Sequence, residues 1–107
     1  MTKITFSTGN VFADLGLPDA VELDTKVRLA VAINHRIEAR RLTQVAAAKT
    51  LGVNQPKVSA LKNYQLEGFS VERLMNFLTA LGSDIEIRVC APKRRTTSPG
   101  RILVQAA

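Results

Sequence analysis

Apolar and polar positions along the chain follow two different periods, which predict helices over most of its length and one strand near its end. From about Asp19 to Arg40, apolar residues recur every three or four positions, as on a helix with one buried face. A shorter helix is predicted from Val71 to Leu81, with Ser70 as its cap and Gly82 just after its end. The stripe of the first helix runs through Leu23, Val27, Ala30, Asn34 and Ile37, broadened by Val31 and Ile33.

The stretch from Asp84 to Cys90, DIEIRVC, alternates strictly between apolar and polar residues. This period of two predicts a β-strand with one buried face. A lone strand would leave both of its edges without hydrogen-bond partners, so it needs a second strand beside it. Three partners are open: the segment Ile4 to Phe6, the same strand of a second copy across a dimer, or another protein.

The stretch from Thr43 to Tyr64, TQVAAAKTLGVNQPKVSALKNY, predicts two short helices around a tight turn. Thr43 and Asn54 are residue types that cap helix starts, and Pro56 suits a first helical turn. Three residues are assigned to the structure of the motif. Ala48 is a small residue where the helices cross, Gly52 forms the turn, and Val58 is an apolar side chain that fills the angle between the helices. This spacing is typical of a helix-turn-helix, and the alternative is an ordinary helical hairpin.

Composition sets the outer limits of these predictions. With 107 residues, the chain has room for one domain, from 19 to 90, between an N-terminal arm (1–18) and a flexible basic tail (91–107). In the arm, Phe12, Leu15 and Leu17 are expected to dock on the core. The formal charge is +6, from 15 Lys and Arg against 9 Asp and Glu. Such a surface favours a polyanionic partner, although a merely soluble basic protein would have the same charge.

Candidate catalytic chemistry is sparse. The sequence has one cysteine, Cys90, and one histidine, His35, so it offers neither an internal disulfide nor a zinc site of ordinary spacing. It has no glycine-rich phosphate loop and no supported pair of carboxylates. We therefore expect no enzyme activity, no metal and no cofactor. Neither a membrane span nor a secretory signal is predicted, and the cytoplasm is the default location.

The segment TQVAAAKTLGVNQPKVSALKN resembles the XRE family of helix-turn-helix proteins, which includes phage repressors and Cro. The flanks FADLGLPDA, FSVERLMNFLTALG and DIEIRV extend this resemblance from Phe12 to Val89 and are similar to the HigA-like branch of antitoxins. The resemblance implies a mostly α, lambda-repressor-like domain of about four to five helices with one C-terminal strand. It also implies a homodimer on a palindromic operator in double-stranded DNA and, as a partner, a small ribosome-dependent ribonuclease toxin.

Individual positions can be matched to this family. Gln44 corresponds to a glutamine that bonds a phosphate, Gln55 to one that contacts a base, and Asn63 to a phosphate contact. Pro56 departs from the small polar residue usual there, so base preference does not transfer. The expected base contacts are Gln55, Lys57 and Ser59, and the expected phosphate contacts are Arg41, Thr43, Gln44, Lys62 and Asn63. Each could instead be a solvated helix residue, and Thr43 a cap alone.

Three functions remain open from the sequence. The first is an antitoxin that represses its own operon, the second is a stand-alone transcriptional regulator, and the third is a protein–protein adaptor with a basic face. A small basic toxin encoded beside the gene would favour the first. Steep loss of DNA binding with added salt would exclude the third.

Overall fold

The computed structural model describes residues 19–92 and 99–106, which form four α-helices. They are α1 (Asp19–Ala39), α2 (Gln44–Leu51), α3 (Gln55–Lys62) and α4 (Val71–Ala80). Helices therefore occur at all four predicted positions. The expectations for the N-terminal arm, at Ile4 to Phe6 and at Phe12, Leu15 and Leu17, lie outside the described residues.

The prediction of a strand from Asp84 to Cys90 is wrong. Residues 84–92 have no regular secondary structure, and the described part of the chain contains no β-strand. Ile85 packs partly against the core, but Ile87 is 58% exposed and Val89 is 77% exposed, so the alternation does not mark a buried face. With no second strand to pair its backbone groups, an extended segment does not become a sheet. The fold of the described residues is all-α, without the expected strand.

The main core lies where α1 packs against α4, and α2 and α3 pack beside this pair. Its buried residues come from all four helices and from the segments that follow α3 and α4. They are Leu29, Ala30, Ile33, Leu51, Leu61, Leu66, Phe69, Val71, Leu74, Phe77, Leu78 and Leu81. Val104 packs on the same core from the C-terminal segment. Burial of these apolar side chains is the main force that holds the short helices in place.

The buried face of α1 differs at its start from the predicted stripe. Leu23 is 55% exposed, whereas Thr25 is only 3% exposed. The Thr25 hydroxyl donates a hydrogen bond to the Val21 carbonyl, 3.1 Å away, so the polar group can be buried without losing a partner. A pattern of apolar residues alone cannot identify a buried threonine of this kind.

Each of the four helices ends with the same backbone arrangement. A residue with positive φ follows the helix, and the next residue donates its N–H to the carbonyl five residues back. The left-handed residues are Arg41, Gly52, Tyr64 and Gly82, with φ of 54°, 72°, 59° and 94°. The glycines were expected at helix ends, but Arg41 and Tyr64 adopt this conformation although it costs a side chain about 1 kcal/mol.

Candidate nucleic-acid interface

α2 and α3 are joined by a short turn at residues 52–54, and small side chains fill the angle between them. Ala47, Ala48 and Val58 are buried together in a second, smaller cluster. Because the two alanines are small, Val58 can reach the crossing point of the helices. Val53 donates its N–H to the Ala48 carbonyl at 3.0 Å, which closes the turn around left-handed Gly52. The three residues assigned to the motif, Ala48, Gly52 and Val58, therefore lie together.

Both helices of this pair begin with a side-chain cap. The Thr43 hydroxyl oxygen accepts a hydrogen bond from the Ala46 N–H at 3.1 Å. Asn54 Oδ1 accepts one from the Lys57 N–H at 3.0 Å. Each bond satisfies one of the free donors of a first helical turn. Thr43 is therefore a cap whose hydroxyl hydrogen is still available to an anion.

α3 carries the three candidate base contacts, Gln55, Lys57 and Ser59. Val58 and Leu61 face the interior, and successive residues of an α-helix are about 100° apart. On that geometry, Gln55 and Lys57 lie on opposite flanks of the helix, and Ser59 lies on its outer side. Gln55 is exposed, whereas Lys57 and Ser59 are half-buried. These three side chains border one surface but do not point in one direction.

The end of α3 carries two candidate phosphate contacts. Lys62 and Asn63 are both exposed. Asn63 Nδ2 donates to the Ser59 carbonyl at 3.0 Å and lies 3.5 Å from the Ser59 hydroxyl oxygen. The Asn63 side chain therefore closes the end of α3, and its oxygen remains free to accept a hydrogen bond.

Two further candidates, Arg41 and Gln44, lie on either side of the Thr43 cap, before and at the start of α2, and both are exposed. The neighbouring arginines of α1 are placed differently. Arg36 and Arg40 each donate to the Leu81 carbonyl at 3.3 Å, at the end of α4. They bind the negative end of that helix and stabilise it. Of the arginine group at the end of α1, only Arg41 belongs to the candidate interface.

Asn34 helps to position α3, a role that the sequence did not predict. Asn34, expected near the apolar stripe of α1, donates through Nδ2 to the Leu61 carbonyl of α3 at 3.1 Å. This bond ties the last turn of α3 to the middle of the longest helix. The only trace of it in the sequence is a polar residue within an apolar stripe.

The stretch of sequence that contains α2 and α3 carries charge of one sign. Between Glu38 and Glu67 the sequence contains no acidic residue. The same stretch contains five basic residues, Arg40, Arg41, Lys49, Lys57 and Lys62. A stretch that contains both short helices and only basic charges favours a polyanion such as nucleic acid as the partner.

Residues 19–92 and 99–106 contain neither a metal site nor a membrane-spanning helix. No group of histidine, cysteine and carboxylate side chains in that part is arranged to hold a metal ion. No helix there has the length and apolar composition needed to cross a bilayer.

Comparisons with known proteins agree with this geometry. Residues 11–90 match a family model described as a helix-turn-helix domain. A solved structure named as an XRE-family transcriptional regulator is 60% identical, with a TM-score of 0.76 over 84% of this chain and 100% of that one. The chain belongs to the XRE family of helix-turn-helix proteins. No curated protein sequence matches it significantly. The XRE family is a group of regulators and not a class of enzymes.

Proposed function

We propose that this XRE-family protein binds specific sequences in double-stranded DNA and regulates transcription. The main support is α3, a capped helix that leaves Gln55 exposed at its start, within a stretch of sequence free of acidic residues. The major groove of B-DNA is about 12 Å wide and admits one α-helix. In this proposal α3 enters that groove, while α2 lies across the phosphate backbone.

The side chains of the interface divide by chemistry. An exposed glutamine such as Gln55 can donate to and accept from adenine at the same time, so it discriminates between bases. Lys57 and Ser59 border the same groove, with Lys57 suited to guanine. The proposed phosphate contacts are Arg41, Thr43, Gln44, Lys62 and Asn63. They fix the register of α3 on the duplex without identifying bases.

The test uses a duplex that the wild-type chain enriches from a randomised pool. Gln55→Ala and Lys57→Ala should each weaken binding to it about tenfold, since a good base contact is worth roughly 1–3 kcal/mol. Fluorescence anisotropy with specific and unrelated duplexes separates base contacts from general affinity. The matched control is Gln105→Ala, an exposed glutamine in the C-terminal segment. Unchanged specific binding by both α3 variants would contradict the assignment of α3.

A homodimer on a palindromic operator extends this proposal. Two copies would place their α3 helices in successive major grooves, roughly 34 Å apart. Exposed apolar side chains such as Leu23 and Leu103 offer surface that a second copy could cover. Sedimentation equilibrium without DNA, and the spacing of half-sites in the enriched duplexes, test the dimer. A monomer that enriches only single, non-repeated sites contradicts it.

An antitoxin role is the narrower form of the same proposal. Its support is that the family model covers residues 11–90 and therefore includes the antitoxin-like flanks as well as the motif. A small toxin gene should lie beside this one, and expression of this chain should relieve its toxicity. If no such neighbour exists, the stand-alone regulator remains.

A further inference from the structure

The ammonium of Lys57 makes a cation–π contact within the protein that a base contact would not require. Lys57 Nζ lies over the ring of Phe69, 4.9 Å from the ring centroid. Phe69 precedes α4 and is buried, with 2% of its surface exposed. A lysine above an aromatic ring is attracted by the negative face of the ring.

The ring that receives this ammonium is itself held in place. Phe69 meets Phe77 of α4 edge to face, with centroids 5.9 Å apart and an interplanar angle of 76°. The guanidinium of Arg73 in turn lies 5.5 Å from the centroid of Phe77. Phe69 is therefore a fixed platform in the core and not a mobile surface ring.

Gly68 keeps the space above this platform open. A β-carbon at position 68 would lie only 3.0 Å from Lys57 Nζ. The φ of Gly68 is not in the left-handed region, so its backbone conformation is one that alanine can adopt. What the position of Lys57 requires at residue 68 is therefore the absence of a side chain, not a special backbone conformation.

We propose that Phe69 and Gly68 are positioning residues for DNA recognition, because they fix where α3 presents the ammonium of Lys57. This inference rests on the proposed function. Lys57 lies in the first turn of α3, at the positive end of the helix, where a cation gains nothing from the helix dipole. The ring supplies the missing attraction. A lysine already held in one place has less rotamer freedom to lose when it meets a duplex.

The test is a cycle of four chains: wild type, Gly68→Ala, Lys57→Met and the double variant. The added methyl group meets only the mobile end of a side chain, so the fold should survive and the ammonium should move. With the duplex enriched by the wild type, Gly68→Ala should weaken binding about two- to fivefold, the range of an exposed cation–π contact. In the Lys57→Met background, Gly68→Ala should change nothing.

Gly100→Ala is the matched control, since a β-carbon there has no atom within 4 Å. NMR of the free protein gives a second readout that does not depend on DNA. The ε-methylene protons of Lys57 should be shifted upfield by the ring, relative to exposed Lys62, and Gly68→Ala should remove the difference.

The outcomes separate the two proposals. An equal effect of Gly68→Ala in both backgrounds, or none in either, overturns the positioning role while DNA binding stands. An absent upfield shift in the wild type overturns it as well. If the wild type enriches no duplex, the proposed function fails, and this inference fails with it whatever the NMR spectrum shows.

Discussion

Asn34 is the residue through which the longest helix holds α3. Its amide donates to the Leu61 carbonyl, a group in the last turn of α3 that also accepts the Tyr64 N–H at 3.2 Å. A carbonyl oxygen has two lone pairs and can accept both bonds. The position of α3 therefore depends in part on a polar residue of α1 that lies outside the candidate interface.

Asn34→Ala should lower the free energy of unfolding by about 1 kcal/mol, because it removes one of the two hydrogen bonds to the Leu61 carbonyl and leaves only the bond from the Tyr64 N–H. Urea denaturation followed by circular dichroism measures this change. His35→Ala, at the exposed neighbouring position, is the control and should stay within about 0.5 kcal/mol of wild type. Equal midpoints for the two variants would show that the bond contributes nothing.

At this scale the sequence predicts local features well and distant ones poorly. The caps at Thr43 and Asn54 join residues three positions apart, so residue type and spacing suffice to predict them. The Lys57–Phe69 contact crosses the loop after α3, and the bond from Arg36 reaches the end of α4. Such contacts depend on how the helices pack, which no local pattern contains.

Among the elements, the helices were predictable from this sequence, whereas the predicted strand is absent from the described residues. A helix forms its hydrogen bonds within one segment, so periodicity, caps and end residues together nearly determine it. A strand forms them with another segment, and alternation alone does not provide that partner. Residues 84–92 have the alternation and remain irregular.

Asn54→Ala tests how far α3 depends on its cap. It removes the side-chain acceptor for the Lys57 N–H, which keeps only the Asn54 backbone carbonyl at 3.1 Å. The variant should lower stability by about 1 kcal/mol, with the largest effect at the start of α3. Asn54→Asp and Asn54→Ser keep an acceptor and serve as controls. Hydrogen exchange of the Lys57 amide should be faster in the alanine variant alone. Protection that is the same in all three would argue against the cap.

For the whole molecule, the distribution of charge matters more than the net value of +6. The acid-free stretch between Glu38 and Glu67 contains both helices of the motif. On the first half of α1, by contrast, two basic residues are paired: Lys26 lies 3.7 Å from Glu22, and Arg28 lies 2.9 Å from Asp24. The stretch that contains the motif is therefore suited to phosphates, whereas carboxylates balance these two cations of α1.

Lys62→Gln should weaken binding to specific and unrelated duplexes alike and reduce the slope of log affinity against log salt by about one. The reason is that one phosphate contact fewer releases one counterion fewer. Lys26→Gln removes the same charge from an ion pair on α1 and should leave the slope unchanged. Anisotropy titrations at several salt concentrations measure both. Equal salt slopes in the two variants would contradict the assignment of Lys62 to the interface.

The left-handed conformations of Arg41 and Tyr64 restrict which mutations can accumulate in this lineage. Glycine, asparagine and aspartate tolerate positive φ, whereas valine and isoleucine are strained there by their branched β-carbons. Homologues that diverge freely in surface chemistry at these two sites should still avoid β-branched residues. A change to glycine at position 41 would preserve the shape of the chain and remove a charge from the proposed interface, so it would alter affinity for the proposed DNA partner without changing the fold.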